Sequence, residues 1–247
     1  MQKKLTILKL LKNRLHLGRH KSKKHPNMDE YIFTVRNNLC VFDLEKTLAK
    51  IKIVIDVLKK LKKEQKDILV VGTKKQIKDE TEQFAKGIGA HYINKRWLGG
   101  ILTNFKTIKN KTRRLKELKE MEAKEELKKY TKFEQQKFKE EREKLEEDVG
   151  GIEDLQALPE ILFILDSFYE KIAMKEAKKM GITVIALMNA NSDPKKAEYP
   201  VPMNTESTQA LSFVLKAIQA GVAEKIIKIK KSKKAKKIKI VKTNKKD

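Results

Sequence analysis

The 247-residue chain has one cysteine, no apolar run approaching the ~18 residues of a membrane span, and few acids, 33 Asp and Glu against 58 Lys and Arg. Cys40 alone excludes an internal disulfide, and an oxidising compartment would leave it a stray reactive thiol, so a reducing interior is expected. The N-terminus lacks the long apolar core of a secretory signal, which points to a soluble protein that stays inside with no membrane partner. The shortage of acid leaves a net charge of +25, a self-repulsion that a small neutral substrate does not require and that phosphates would neutralise. Nucleic acid is therefore the first partner to expect. Arginine is scarce as well, with seven positions, so most of the positive charge is lysine, suited to phosphate contact more than to planar base readout. At 40% hydrophobic the chain can still bury a core, and its length suits one large domain or one domain with an appendage.

Acid is most completely absent at the two ends. Residues 1–25 carry nine basic side chains and no acid, and residues 224–247 carry twelve lysines against Glu224 and Asp247, so the ends hold 19 of the 25 net charges. The C-terminal 229–247 has no turn chemistry and is expected to be disordered when free, either as a solubilising tail or as an arm that orders on phosphates.

The middle reads as alternating strands and helices. DILVVG at 67–72, EILFILD at 160–166 and ITVIALM at 182–188 are continuous apolar runs, which implies strands covered on both faces. Helical patterns over Lys74–Lys86, stopped at Gly87 to Gly89, and over Glu170–Met180, stopped at Gly181, lie between them. Right-handed βαβ crossovers and a parallel sheet follow. Further helices fit Leu44–Lys63, with Asp43 as cap, and Glu206–Ile227. From Thr103 to Asp148 the pattern changes to Lys- and Glu-rich sequence. Leu115, Leu118 and Met121 form one narrow stripe and Phe138, Leu145, Val149 and Ile152 another. Two helices reversing near Lys129 to Lys132 would bury these stripes as an antiparallel coiled-coil hairpin projecting from the α/β domain. The expected organisation is thus an α/β domain from 1–102 and 149–228, with 103–148 as the hairpin insertion.

Segment 95–119 carries nine basic residues against Glu117. Lys106, Lys109, Lys111, Arg113 and Arg114 recur at helical spacings without an acid among them, and Arg96 and Trp97 stand beside Gly99 and Gly100, where backbone can approach closely. Trp97 fits a ring on RNA and a core residue equally. Farther along, lysines and glutamates fit a solvated helix face. VVGTKKQ at 70–76 puts Lys74 and Lys75 after a strand and a glycine, as in a phosphate loop, but lacks the second glycine of GxxxxGK[ST]; the alternative is a plain turn whose lysines face solvent or RNA. Asp43, Asp166 and Asp193 fall near the carboxyl ends of predicted strands, yet no nucleophile elbow or Gly-rich loop accompanies them, so caps and turns are the expected roles and no catalytic residue is assigned. In HLGRHKSKKH, His16, His20 and His25 have spacings that match no standard zinc pattern; with Arg14, Arg19, Lys21, Lys23 and Lys24 they suit RNA contact. No metal, cofactor or small-molecule substrate is expected.

VVGTKKQ and the nearly unbroken NKRWLGGILTNFKTI, with HLG at 16–18, DLEKTL at 43–48, LPEILFILD at 158–166, GITVIAL at 181–187 and NSDP at 191–194, resemble the bacterial-type family of small-subunit ribosomal protein two over roughly residues 10–225. The resemblance implies a flavodoxin-like α/β domain with a protruding coiled-coil hairpin, no catalysis, and small-subunit ribosomal RNA as ligand. It also implies a place on the solvent side of the small subunit between head and body, near neighbouring ribosomal proteins, and in bacteria a role in recruiting the large mRNA-binding one. The sequence departs from the family pattern at Arg19, Lys24, His25, Ser167, Asn189, Ala190, Met203, Thr205 and Glu206. Family-like sequence from about Leu10 leaves too little room for a transit peptide, so the expected setting is the cytoplasmic ribosome of a bacterium or a ribosome whose proteins are encoded inside an organelle.

Overall fold

The computed structural model describes residues 5–223, so the Lys-rich tail and the end of the helix expected to reach Ile227 lie outside the described residues. Five strands, β4 (Ile68–Val71), β5 (His91–Ile93), β6 (Ile161–Ile164), β7 (Thr183–Met188) and β8 (Tyr199–Pro202), form a wholly parallel sheet in the order β5-β4-β6-β7-β8. Counted from its own first strand, that order is 2-1-3-4-5. Helices α1 (Ile7–Lys12), α2 (Leu44–Lys63), α3 (Lys78–Ile88) and α7 (208–223) supply one core, and α6 (Lys171–Met180) with the first turns of α4 (Phe105–Ala123) supplies the other. Ile68 and Val70 point into the first core while Leu69 and Val71 point into the second. That alternation explains why these strands need apolar residues at every position.

The helix stops fall at Gly89 and Gly181, both left-handed, with φ of +64° and +68°. Asp43 caps α2 by accepting from the amides of Glu45 and Lys46. Thr47, one turn on, donates its hydroxyl to the Pro202 carbonyl and so ties α2 to the end of β8.

Three features differ from the sequence expectation. The helix expected from Lys74 starts at Lys78, because 75–77 form a tighter 3₁₀ turn. The sheet has two more strands, β5 and β8, both at its edges. The first is three residues long and the second is YPVP, whose two prolines are tolerable only where ladder donors are not needed on both sides. The basic N-terminal segment also contains regular structure. β1 (Leu17–His20), β2 (Ile32–Arg36) and β3 (Leu39–Phe42) make a small antiparallel sheet in the order β1-β3-β2. Asn37 and Asn38, at φ of +49° and +59°, form the two-residue turn between β2 and β3, where positive φ at both positions matches the twist of the flanking strands.

α4 and α5 (Lys132–Val149) are joined through a 3₁₀ turn over Glu126–Lys129. Thr131 and Glu134 form a reciprocal capping box at the start of α5. Leu115, Leu118, Val149 and Ile152 of the two predicted stripes are buried, the first and last two in the second core.

Candidate nucleic-acid interface

The segment from Asn94 to Asn104, between β5 and α4, is held by one carboxylate. Glu176 sits on the inner face of α6 between Ala173 and Ala177. Its Oε1 accepts from Trp97 Nε1 (3.1 Å) and the Gly100 amide (2.8 Å), and its Oε2 from the amides of Leu102 (3.1 Å) and Thr103 (3.3 Å) and the Thr103 hydroxyl (3.3 Å). Burial alone would raise the Glu176 pKa, but these donors outweigh it and hold the group below the usual carboxylate range. Trp97 is 8% exposed and packs in the second core. With its indole N–H spent on Glu176, it anchors the root of α4 from inside.

The basic residues beyond this anchor fall into two groups. Arg96, Lys106 and Arg113 are exposed and Lys111 is half-buried, and none has an ion pair among the described residues. Lys109 donates to the Gln156 carbonyl at 3.2 Å. Arg114, by contrast, grips Glu141 of α5 through two bonds of 2.9 Å, Lys116 meets Asp154 at 2.8 Å, and Lys119 bridges Glu146 and Glu153 at 2.6 and 2.7 Å. The same helix thus spends its later cations on α5 and the segment after it. Its first turns pair none of theirs with an acid among the described residues.

The N-terminal basic residues gather at the carboxyl edge of the large sheet. The Asn204 side chain donates to the Arg14 carbonyl, the His25 amide to the Ala190 carbonyl at 2.8 Å, and the Asn27 side chain to Asp193 at 2.9 Å, so this segment is strapped across the ends of β7 and β8. Arg19 pairs with Glu206 and Lys24 with Asp29, whereas Arg14, Lys21, Lys23 and Lys75 are exposed. Nδ1 of His20 bonds Ser22 and that of His25 accepts from the Asn27 amide. Among the described residues no three His, Cys, Asp or Glu side chains are grouped so as to hold a metal ion.

In a doubly wound sheet the crevice between the first and third strands is where a nucleotide would bind. Here the chain fills it. Lys74 pairs with buried Asp166 and donates to the Thr205 carbonyl at 3.1 Å. Asp166 also accepts from the Thr205 hydroxyl at 2.7 Å and from the amides of Phe168 and Tyr169. Glu170 takes the Thr73 amide (2.9 Å) and hydroxyl (2.5 Å), and burial raises its pKa. Gly72 lets strand and helix approach: a Cβ there would lie 2.5 Å from Thr81 Oγ1 and 2.6 Å from Leu165 Cδ1. The glycine serves packing, and the first lysine of VVGTKKQ neutralises an aspartate of its own protein.

Sequence reasoning assigned no role to Glu176, noted only in the family-like EA pair at 176 and 177, and did not single out the exposed pair Phe168 and Tyr169. An acid on the apolar stripe of α6, flanked by alanines, is the signal that would have found the first.

The fold and the site define a parallel α/β protein whose nucleotide crevice is closed by its own ion pair and whose surface cations gather at the start of α4. The sequence profile of the family described as "Ribosomal protein S2" matches residues 10–225. Among curated relatives, the small ribosomal subunit protein uS2 of a Nitratiruptor species is 40% identical over 220 residues, covering 89% of this chain and 82% of that protein. The uS2 proteins of Wolinella succinogenes and Helicobacter hepaticus are 37% and 36% identical over the same length, covering 81% and 83% of those proteins. The chain belongs to the ribosomal protein S2 family. It is a structural ribosomal protein, not an enzyme.

Proposed function

We propose that the chain is built into the small ribosomal subunit by binding 16S-type ribosomal RNA at the root of α4, through Arg96, Lys106, Lys111 and Arg113, assisted by the N-terminal basic segment. The observation that carries this reading is the division of charge along α4: cations paired with acids from Arg114 onward, unpaired cations before it. A surface kept positive without internal partners is what a phosphate backbone requires. The strand order 2-1-3-4-5 supports a flavodoxin-like body, and the facing stripes of α4 and α5, closed by Arg114 and Glu141, support an antiparallel coiled-coil hairpin. Neighbouring small-subunit proteins, the large mRNA-binding one among them, are the partners this family membership suggests.

Reversing Lys106, Lys111 and Arg113 to Glu should reduce co-sedimentation with reconstituted small subunits without changing thermal unfolding. Loss of three phosphate contacts lowers the slope of log affinity against log salt by about 2–3. Undiminished assembly of the triple variant would remove the α4 root from the interface.

A further inference from the structure

We propose that the turn before α6 and the outer stripe of that helix form a second RNA contact, in which an unpaired nucleobase stacks on Phe168 while the adjoining phosphates lie on Lys171, Lys175 and Lys178. The inference rests on the RNA-binding reading above and adds to it a site and a ligand class, single-stranded rather than helical RNA.

Phe168 is 40% exposed and Tyr169 60%, large aromatic surfaces left in water at the carboxyl edge of the sheet. Neither stabilises the core, and each sits under cations: Lys171 Nζ lies 3.7 Å and the Arg19 guanidinium 5.5 Å from the Phe168 ring centre, and Lys74 Nζ lies 6.0 Å from that of Tyr169. From Phe168 the sequence places lysines at 171, 175 and 178, the spacings that line one helix face, while Ala173 and Ala177 on the other face are buried. The result is an aromatic residue at the head of a lysine stripe that advances about 5.4 Å per turn.

The stripe borders a cleft of about 350 Å³ whose apolar wall is Phe168 and Met174. Lys196 also lines the cleft and pairs with Asp193 at 3.9 Å, an acid held as well by Asn27 and the Lys195 amide, so Lys171, Lys175 and Lys178 are left without an acid in the cleft. Asn191 also lines the cleft, and both polar atoms of its side chain are buried without a hydrogen-bond partner among the described residues, so a base edge would meet them once that side chain turned outward. A planar apolar wall, an unused amide and a surplus of cations are the complement of a nucleotide: ring, base edge and phosphate. Lys171 covers the ring from a flexible, exposed stem, so it can swing to a phosphate and yield the ring face to a base.

The test uses the full chain with Phe168→Trp, which puts an indole on the platform while the native Trp97 stays buried. Titration with oligo(A) of ten nucleotides should quench the emission of this variant saturably, leave wild-type emission unchanged, and quench far less when a ten-base-pair RNA duplex replaces it. Adding Lys175→Glu and Lys178→Glu should raise the half-quenching concentration about five- to tenfold at 0.1–0.2 M salt. Absence of quenching in a chain that still retains labelled oligo(A) and enters small subunits would overturn this inference alone. Equal quenching by duplex would overturn the stacking mode. A wild-type chain that neither binds oligo(A) nor enters subunits would overturn the reading on which it rests.

Discussion

Glu176 and Glu170 are two buried glutamates on the same short stretch of chain, and replacing each by glutamine should have opposite outcomes. Glu176 uses both oxygens, so a glutamine in either orientation turns an NH₂ toward two N–H donors and loses two bonds to a charged acceptor; the Thr103 hydroxyl, the third donor on Oε2, can turn and accept instead. At about 1.5–3 kcal/mol for each such bond, Glu176→Gln should cost about 3–6 kcal/mol. Glu170 takes both Thr73 donors on Oε1 alone, and the glutamine carbonyl can keep them, so Glu170→Gln should change stability by less than about 1 kcal/mol. The pH dependence has opposite signs too. The folded pKa of Glu176 is depressed, so its contribution is present above the ordinary carboxylate range and is lost as pH falls through the lowered value. The pKa of Glu170 is raised by burial, so its charged form weakens the fold at neutral pH, and stability is regained as pH falls through the raised value. Urea unfolding at pH 7, with amide hydrogen exchange at Leu102 as the local reporter, measures both. If Glu176→Gln unfolds within about 1 kcal/mol of wild type and Leu102 keeps its protection, the anchoring of the α4 root has been misread.

Gly72→Ala should destabilise by about 1–3 kcal/mol, because the new methyl would have to displace Thr81 and Leu165; a thermal melt unchanged from wild type would contradict the packing role. Lys74→Met should cost about 3 kcal/mol by leaving Asp166 buried without its cation, and calorimetry should show no saturable nucleotide binding in either the parent or the variant. Arg114→Ala should lower thermal stability, through the lost Glu141 bonds, more than Arg113→Ala, which has no ion pair to lose among the described residues.

The sequence reading was strongest where burial is two-sided. Runs such as ILFI admit few alternatives, since each residue must satisfy one core or the other. It missed β5 and β8 because edge strands carry little pattern, and it missed β1 to β3 because their outward faces are charged or exposed. On α4, counting charge located a cluster of cations but could not say which of them were spent on acids. Arg114 and Arg113 are adjacent and chemically identical in sequence, and only the position of Glu141 separates them. Lys74 likewise looks like a phosphate ligand until Asp166 is seen beside it. Trp97, which fitted two roles, points inward because Glu176 waits there for its N–H.

Directed hydroxyl-radical probing tests most directly whether the root of α4 lies against ribosomal RNA. Cys40 is fully buried and its thiol pKa is raised by that burial, so Lys106→Cys supplies the reactive thiol for a tethered iron chelate. Assembled small subunits carrying the probe at position 106 should show strong, localised cleavage of 16S-type RNA. Subunits that contain the labelled protein but show no cleavage above the unlabelled control would contradict the account.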